Sequence, residues 1–517
     1  MALRDVGRRP RSLMREPVLK LEGITKRFGT LLVNDAITLE LSKGEVLALL
    51  GENGAGKTTL MNILFGHYKA DAGRVLAFGR ELPSGQPSAA IKAGIGMVHQ
   101  HFALAPNLSV LENILAGAES MWRFRSDRTL ARDKLRALSQ KFGLAVDPDA
   151  IVGDLSVGEQ QRVEILKPLY RDARILILDE PTAVLTETEA EFLFATLRLM
   201  AADGLSLIFI SHKLREVLRS ADRILVLRAG ALVAERHPRD TTVDDLAELM
   251  VGRRVQRPLR TRGTPGRVLL QAVGVGLKRN GRSLIAEADF VVRAGETLGI
   301  IGVSGNGQSG LVDLACGVAT ATTGTFLLFG SEVRAASPRA FVAAGVGRIP
   351  EDRHAEGVVG EMALWENAVL ERLHGERFSR GPFVRRSAAR AFARDLVARF
   401  DVRGGTLNSA TRLLSGGNMQ KMILGRSLLD HPRLLVAAKP TRGLDEGAVA
   451  AVHAQILAAR AAGAGVLLVS EDLDEVLALA DRVHAMVKGR VSPPVPVEEL
   501  DAPRLGRMMA GVWEELV

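Results

Sequence analysis

The strongest constraint on this chain is that its pattern occurs twice. Gly44-Glu45-Val46-Leu47-Ala48-Leu49-Leu50-Gly51 returns 251 residues later as Gly295-Glu296-Thr297-Leu298-Gly299-Ile300-Ile301-Gly302. Ala93-Gly94-Ile95-Gly96 returns at the same spacing as Ala344-Gly345-Val346-Gly347. Further on, Leu155-Ser156-Val157-Gly158 and Pro181-Thr182 return 259 residues later as Leu414-Ser415-Gly416-Gly417 and Pro440-Thr441. A period this long marks two tandem domains rather than a solenoid. The second copy carries about eight extra residues between its second and third landmarks. Apolar periodicity lapses where Arg, Pro and Gly gather before residue 267. The reading is a basic N-terminal tail (1–16), a first domain (17–252), a linker (253–266) and a second domain (267–517).

Within each copy, short apolar strands alternate with helical stretches, the pattern of an α/β fold whose mainly parallel sheet is covered by helices. Residues 45–50 read as a buried strand, and 57–65 have helical spacing. Between them lies Gly51-Glu52-Asn53-Gly54-Ala55-Gly56-Lys57-Thr58, followed by Thr59. This is a complete Gly-x-x-x-x-Gly-Lys-Ser/Thr loop. Its glycines let backbone N–H groups turn inward around phosphate oxygens, Lys57 reaches the β- and γ-phosphates, and the Thr58 hydroxyl ligates Mg²⁺. The helix N-terminus adds its dipole behind the phosphates. A second strand, residues 174–178, ends in Asp179-Glu180. Two adjacent carboxylates at a strand's C-terminal end place one on the metal and one beside an attacking water. A third strand, 205–210, delivers His212, whose imidazole can bridge the γ-phosphate and that water.

Composition removes several other classes. A single cysteine, Cys316, excludes a disulfide framework and an all-cysteine metal site, and its apolar neighbours mark it as core. Aromatics are 4% and the net charge of +9 is scattered, so no nucleic-acid partner is expected. No uncharged apolar run is long enough to span a bilayer. Arg4, Arg8, Arg9 and Arg11 precede no apolar export segment, so a cytoplasmic, soluble protein is expected. His99 and His101 share a face of an extended segment without a neighbouring acid or thiol, and read as structural. The stretch 378–390 reads as an exposed loop and helix start.

The order of these motifs resembles that of the ATP-binding-cassette (ABC) ATPases. Leu155-Ser156-Val157-Gly158-Glu159-Gln160-Gln161-Arg162 and Leu414-Ser415-Gly416-Gly417-Asn418 look like the family's signature motif. Gln100, after a strand at 95–98, looks like its Q-loop, His212 like its switch histidine, and Phe28 like the aromatic that stacks on adenine. The resemblance covers nearly the whole chain. It implies two tandem ABC-type ATPase domains, each a parallel P-loop sheet core with a β subdomain and a helical signature-motif subdomain. It also implies that ATP and Mg²⁺ are bound, with Gln100 joining Thr58 and Asp179 at the metal. In this family two cassettes pair head-to-tail, each ATP lying between one P-loop and the other cassette's signature loop. One site is then Gly51 to Thr59, Gln100, Asp179, Glu180 and His212 with Ser415, Gly416 and Gly417.

The other site is degenerate. Counting across at 251, Lys57 becomes Gln308, Thr58 becomes Ser309 and Gln100 becomes Glu351; at 259, Asp179 becomes Ala438, Glu180 becomes Lys439 and His212 becomes Glu471. Phe28 has no aromatic counterpart near Arg279. Losing a phosphate-facing cation removes an interaction worth about 1.5–3 kcal/mol, and losing a general base costs about 10²–10⁴ in rate. Two acids, Glu351 and Glu471, are left facing a polyanion. Gly302, Gly305, Gly307, Gln308 and Ser309, with Ser156 and Gly158, keep a cradle for nucleotide. Val157 stands where glycine is usual and is expected to resist a left-handed backbone.

Tandem cassettes without membrane spans resemble the ATPase subunits of simple-sugar and nucleoside importers. Three stretches lean towards the nucleoside branch: Leu155 to Lys167, His99-Gln100-His101-Phe102, and Ala437-Ala438-Lys439-Pro440-Thr441-Arg442-Gly443-Leu444-Asp445. The chain departs from that branch at Lys439, where glutamine is usual, and at Ser304, where an acid is. The implied partners are two membrane-spanning permease subunits, docked on the segments after Gln100 and Glu351, and an extracytoplasmic solute-binding lipoprotein. The implied location is the cytoplasmic face of the cell membrane. A monosaccharide importer is the alternative. A soluble twin-cassette translation factor is a remote one, disfavoured by Gln308, Ala438, Lys439 and the short join.

Overall fold

The computed structural model describes residues 17–99, 102–117, 128–182, 185, 187–211, 213–252, 258–261, 263–303 and 305–513. Gln100, His101, His212, Ser304 and the 1–16 tail lie outside them. The chain divides between residues 255 and 256 into two compact units.

In the first unit, the strands Val46–Leu50 and Ile175–Asp179 are buried at every position, as continuous apolar runs in a parallel sheet must be. Alternate residues sort to opposite faces. Val46, Ala48 and Leu50 pack with the helical region, including Val163 and Leu166, whereas Leu47 and Leu49 pack with Leu60 and Leu64 of the helix Lys57–Phe65. The six-stranded sheet runs Ala231–Arg236, Arg223–Arg228, Val46–Leu50, Ser206–Ile210, Ile175–Asp179, Ile95–Val98, and only the first of these is antiparallel to its neighbour. A separate antiparallel sheet pairs Pro17–Phe28 with Leu31–Ser42 and Ala72–Ala77. The helices Val110–Leu115, Arg128–Phe142 and Val157–Tyr170 form the helical region. Because Asp179 pairs with Ile210 and Leu49 with Ile210 in parallel register, the loops after these three strands leave the sheet at one edge. That edge carries the chemistry.

The second unit repeats the plan with Thr297–Ile301, Gly465–Ser470, Leu434–Ala438 and Val346–Ile349 as parallel core strands. Here the antiparallel layer joins the core, because Arg490–Val491 pairs with both Arg282–Arg293 and Arg482–Val487. The stretch 378–390 is mostly an exposed loop and a helix start, as read, but with two additions. It holds a short hairpin, Ser379–Arg380 with Phe383–Val384, and the start of the helix Arg386–Arg399. Phe378 is buried, edge-on to Phe392 at 5.4 Å, so an aromatic anchor fixes what read as loop. Cys316 is core as read, and burial pushes its thiol up to about 12.

Candidate functional site

The P-loop of the first unit is shaped by its helix start. Gly56 caps Lys57–Phe65 with φ 96°, and a side chain there would strike the Val33 carbonyl and the Asn34 amide. Asn34 Nδ2 donates to the Gly56 carbonyl at 3.1 Å and fixes the bend. Lys57 is buried, its Nζ donating to the carbonyls of Gly51 (2.8 Å) and Glu52 (2.9 Å), so the ammonium spans the loop it closes. Thr58 follows, and its hydroxyl donates to the Asp179 carboxylate. Burial first, and the neighbouring Glu180 charge second, hold the Asp179 carboxyl above the usual range. The Thr58 hydrogen bond, Lys57 and His99 pull the other way. A buried carboxylate, a second acid and a hydroxyl are hard oxygen donors, the set a Mg²⁺ ion takes.

Glu180 sits at φ 48°, a left-handed backbone that a non-glycine residue adopts only under constraint. Lys439, its counterpart, sits at φ 43°. The two strand ends therefore present their side chains from the same backbone shape, although one is an acid and the other a cation.

Phe28 ends the strand Pro17–Phe28, is 46% exposed, and meets Tyr68 edge-on at 5.6 Å. Tyr68 was not singled out from the sequence, nor was His67, whose ring stacks on His99 at 5.5 Å. Both residues follow Gly66, the left-handed cap of the P-loop helix, and that position next to the loop was the available signal. Burial, then the nearby His99, lower the His67 pKa.

Both signature serines cap their helices, but with different partners. Ser156 Oγ donates to the Glu159 carboxylate at 2.6 Å, while Ser415 Oγ accepts from Asn418 Nδ2 at 2.9 Å. The Ser156 hydroxyl proton is committed to an acid, and the Ser415 proton is left for another acceptor. The expectation about Val157 is corrected. Val157 and Gly416 both occupy the first helical position, and neither they nor Gly158 and Gly417 have positive φ. What a side chain at Gly416 would meet is the Arg353 guanidinium, 2.9 Å away.

The second P-loop keeps its shape without its charge. Gly307 caps Gln308–Ala315 at φ 111°, and Gln308 Nε2 donates to the Val303 carbonyl at 3.0 Å, the counterpart of the Lys57 bond to Glu52. Ser309 is exposed at the helix start. Arg279, in the place of Phe28, pairs with Asp313 at 3.0 Å. Ala438 ends its strand with no carboxylate. The two acids expected to face a polyanion are instead neutralised: Lys439 Nζ lies 2.7 Å from Glu351 and 2.6 Å from Glu471, and Arg442 lies 3.1 Å from Glu351.

A family model described as "ABC transporter" matches residues 34–183 and again 285–442, bracketing both P-loops and both strand-end pairs. The chain belongs to the ABC transporter family. It is an ATP-binding ABC ATPase built of two cassettes. It is 42% identical to the glucose import ATP-binding protein TsgD13 of Haloferax volcanii, covering 96% of each chain. It is also 42% identical to the nucleoside import ATP-binding protein NupA of Lactococcus lactis, and 41% to the guanosine import ATP-binding protein NupO of Bacillus subtilis. Each of these two alignments covers 96% of this chain and 98% of the relative. No helix among the described residues of this ABC protein is long and apolar enough to cross a membrane.

Proposed function

We propose that the chain is the ATP-hydrolysing, energy-coupling subunit of a nucleoside importer, with one competent and one degenerate ATP site. The observation that carries this is the asymmetry of the strand ends. Lys57, Thr58, Asp179 and Glu180 form one connected set, whereas Gln308, Ala438 and Lys439 keep the backbone and lack the reactive groups. In the competent site the backbone N–H groups of Gly54 to Thr59 and the Lys57 ammonium bind the phosphates, and Phe28 holds the adenine. Thr58, Asp179 and Gln100 hold Mg²⁺, which supplies positive charge against the phosphate oxygens. Glu180 takes a proton from the attacking water, and His212 orients that water. Ser415, Gly416 and Gly417 complete the site by the family's head-to-tail pairing of cassettes. The available Ser415 hydroxyl proton suits it to a phosphate oxygen, whereas the Ser156 hydroxyl proton is committed to Glu159.

The partners in this reading are two permease subunits and an extracytoplasmic solute-binding lipoprotein, with the chain peripheral at the cytoplasmic membrane face. A groove of about 390 Å³ bordered by Phe65, Ile91, Met97, His99, Ala105 and Leu108 lies where the segment after Gln100 runs. It has the apolar lining that a permease helix requires. Two of the three named relatives carry nucleoside names, and a monosaccharide is the second reading because the third is a glucose importer subunit. Titrating the cognate binding protein with nucleosides and sugars decides between them. Nucleoside binding is expected, and tight sugar binding with no nucleoside response overturns it. For the ATPase, Glu180→Gln in the assembled transporter is expected to trap ATP, and turnover near wild type overturns the role of Glu180.

A further inference from the structure

We infer that the second cassette accepts nucleotide without a divalent cation, the Lys439 ammonium standing as a built-in cation between Glu351 and Glu471. This rests on the two-site reading above. In the first cassette a buried carboxylate at the strand end, Asp179, is bonded to the P-loop hydroxyl of Thr58, a pair of hard oxygen donors of the kind a divalent cation takes. The corresponding residues of the second cassette do not fit one. Ala438 contributes no oxygen, and Ser309 alone remains of the hydroxyl–carboxylate pair.

The two nearest acids are already claimed. Lys439, with its side chain only 13% exposed, lies 2.7 Å from Glu351 Oε1 and 2.6 Å from Glu471 Oε1, and Arg442 lies 3.1 Å from the same Glu351 oxygen. Two acids against two cations make the group neutral. A divalent ion entering there would have to displace an ammonium from two short contacts and would be repelled by it at close range. The three residues that replace the Q-loop glutamine, the base and the switch histidine therefore form a single cluster joining three segments, those following Ile349, Ala438 and Ser470. The cradle is kept: Gly307 holds its left-handed cap, and Gln308 closes the loop with a neutral amide. A phosphate chain can be met there by backbone N–H groups and the helix dipole, with no metal among the donors.

Photolabelling of the full chain with 8-azido-ATP, followed by proteolysis, assigns label to residues 17–252 or 267–517. With Mg²⁺, both halves are expected to be labelled. With excess chelator, label on the first half should fall about tenfold or more, while label on the second changes less than about twofold. Chelator-sensitive label on the second half, or none there under either condition, overturns the inference. Absence of Mg²⁺-dependent label on the first half instead defeats the proposed competent site, so the two failures are distinct. In Lys439→Gln the acids Glu351 and Glu471 lose the ammonium between them, and second-half label is expected to become dependent on Mg²⁺. A folded Lys439→Gln chain whose second-half label ignores chelator overturns the role given to Lys439. The wild-type arm decides the inference even if that variant does not fold.

Discussion

The two cassettes differ in their side-chain chemistry and agree in their side-chain architecture. The ion pair Glu45–Arg223 at 2.6 Å recurs as Glu296–Arg482 at 2.5 Å. The buried amide bond from Gln161 to the Pro181 carbonyl (2.6 Å) recurs from Gln420 to Pro440 (2.7 Å), and the Thr182–Glu216 bond recurs as Thr441–Glu475, both at 2.7 Å. By contrast, among the P-loop, Q-loop, strand-end and switch side chains expected to touch phosphate, metal or water, Lys57, Gln100, Asp179, Glu180 and His212 have all changed, and the Thr58 hydroxyl is kept as Ser309. The substitutions are also mutually consistent: Gln308 replaces the Lys57 loop bond, and Lys439 with Arg442 neutralises the two new acids. Under the proposed function, a cassette loses its chemistry while keeping its fold because the replaced charges satisfy one another.

The largest expected contrast is between the two P-loops. Lys57→Ala should abolish hydrolysis, and Glu180→Gln should reduce it by about 10²–10⁴, whereas Gln308→Ala should leave the rate within about twofold in the same steady-state assay. Next comes Lys439→Glu, which sets a third carboxylate between two others. It should destabilise the second unit by about 2 kcal/mol and lower its melting transition, rather than restore a base. A smaller and symmetrical effect is expected from Gln161→Leu and Gln420→Leu, each costing about 1–2 kcal/mol by orphaning a buried carbonyl. Unequal costs in denaturant titrations would break the architectural equivalence. The smallest effect is on pH dependence. A carboxyl held above its unfolded value binds its proton more tightly in the fold, so Asp179 lowers stability as pH rises from the ordinary carboxylate range through its own raised value. Asp179→Asn should raise the melting temperature of the nucleotide-free chain at pH 7. The gain should vanish in acid below the ordinary carboxylate range, and a gain that persists there contradicts the cause.

The sequence made the strands easy to read because parallel core strands are apolar throughout and end in recognisable loops. The reading placed strands at 45–50, 174–178 and 205–210; the structure has Val46–Leu50, Ile175–Asp179 and Ser206–Ile210. The helix Lys57–Phe65 is where its spacing put it. What counting could not reveal was which changed residues meet. Glu351, Lys439 and Glu471 are far apart in the chain, and only the convergence of three strand ends turns them into one cluster. A glycine in a motif suggests a left-handed backbone, but Gly416, which matches Val157, is helical and instead accommodates Arg353. The burial of Phe378 is not legible in its neighbourhood because the Arg and Ser residues around it outweigh one buried ring.

The central claim is that one cassette hydrolyses ATP and the other does not. Vanadate trapping of the assembled transporter, followed by a count of bound nucleotides, tests it most directly. The account predicts one trapped ADP per chain, with or without one intact ATP; two trapped ADP per chain would contradict it.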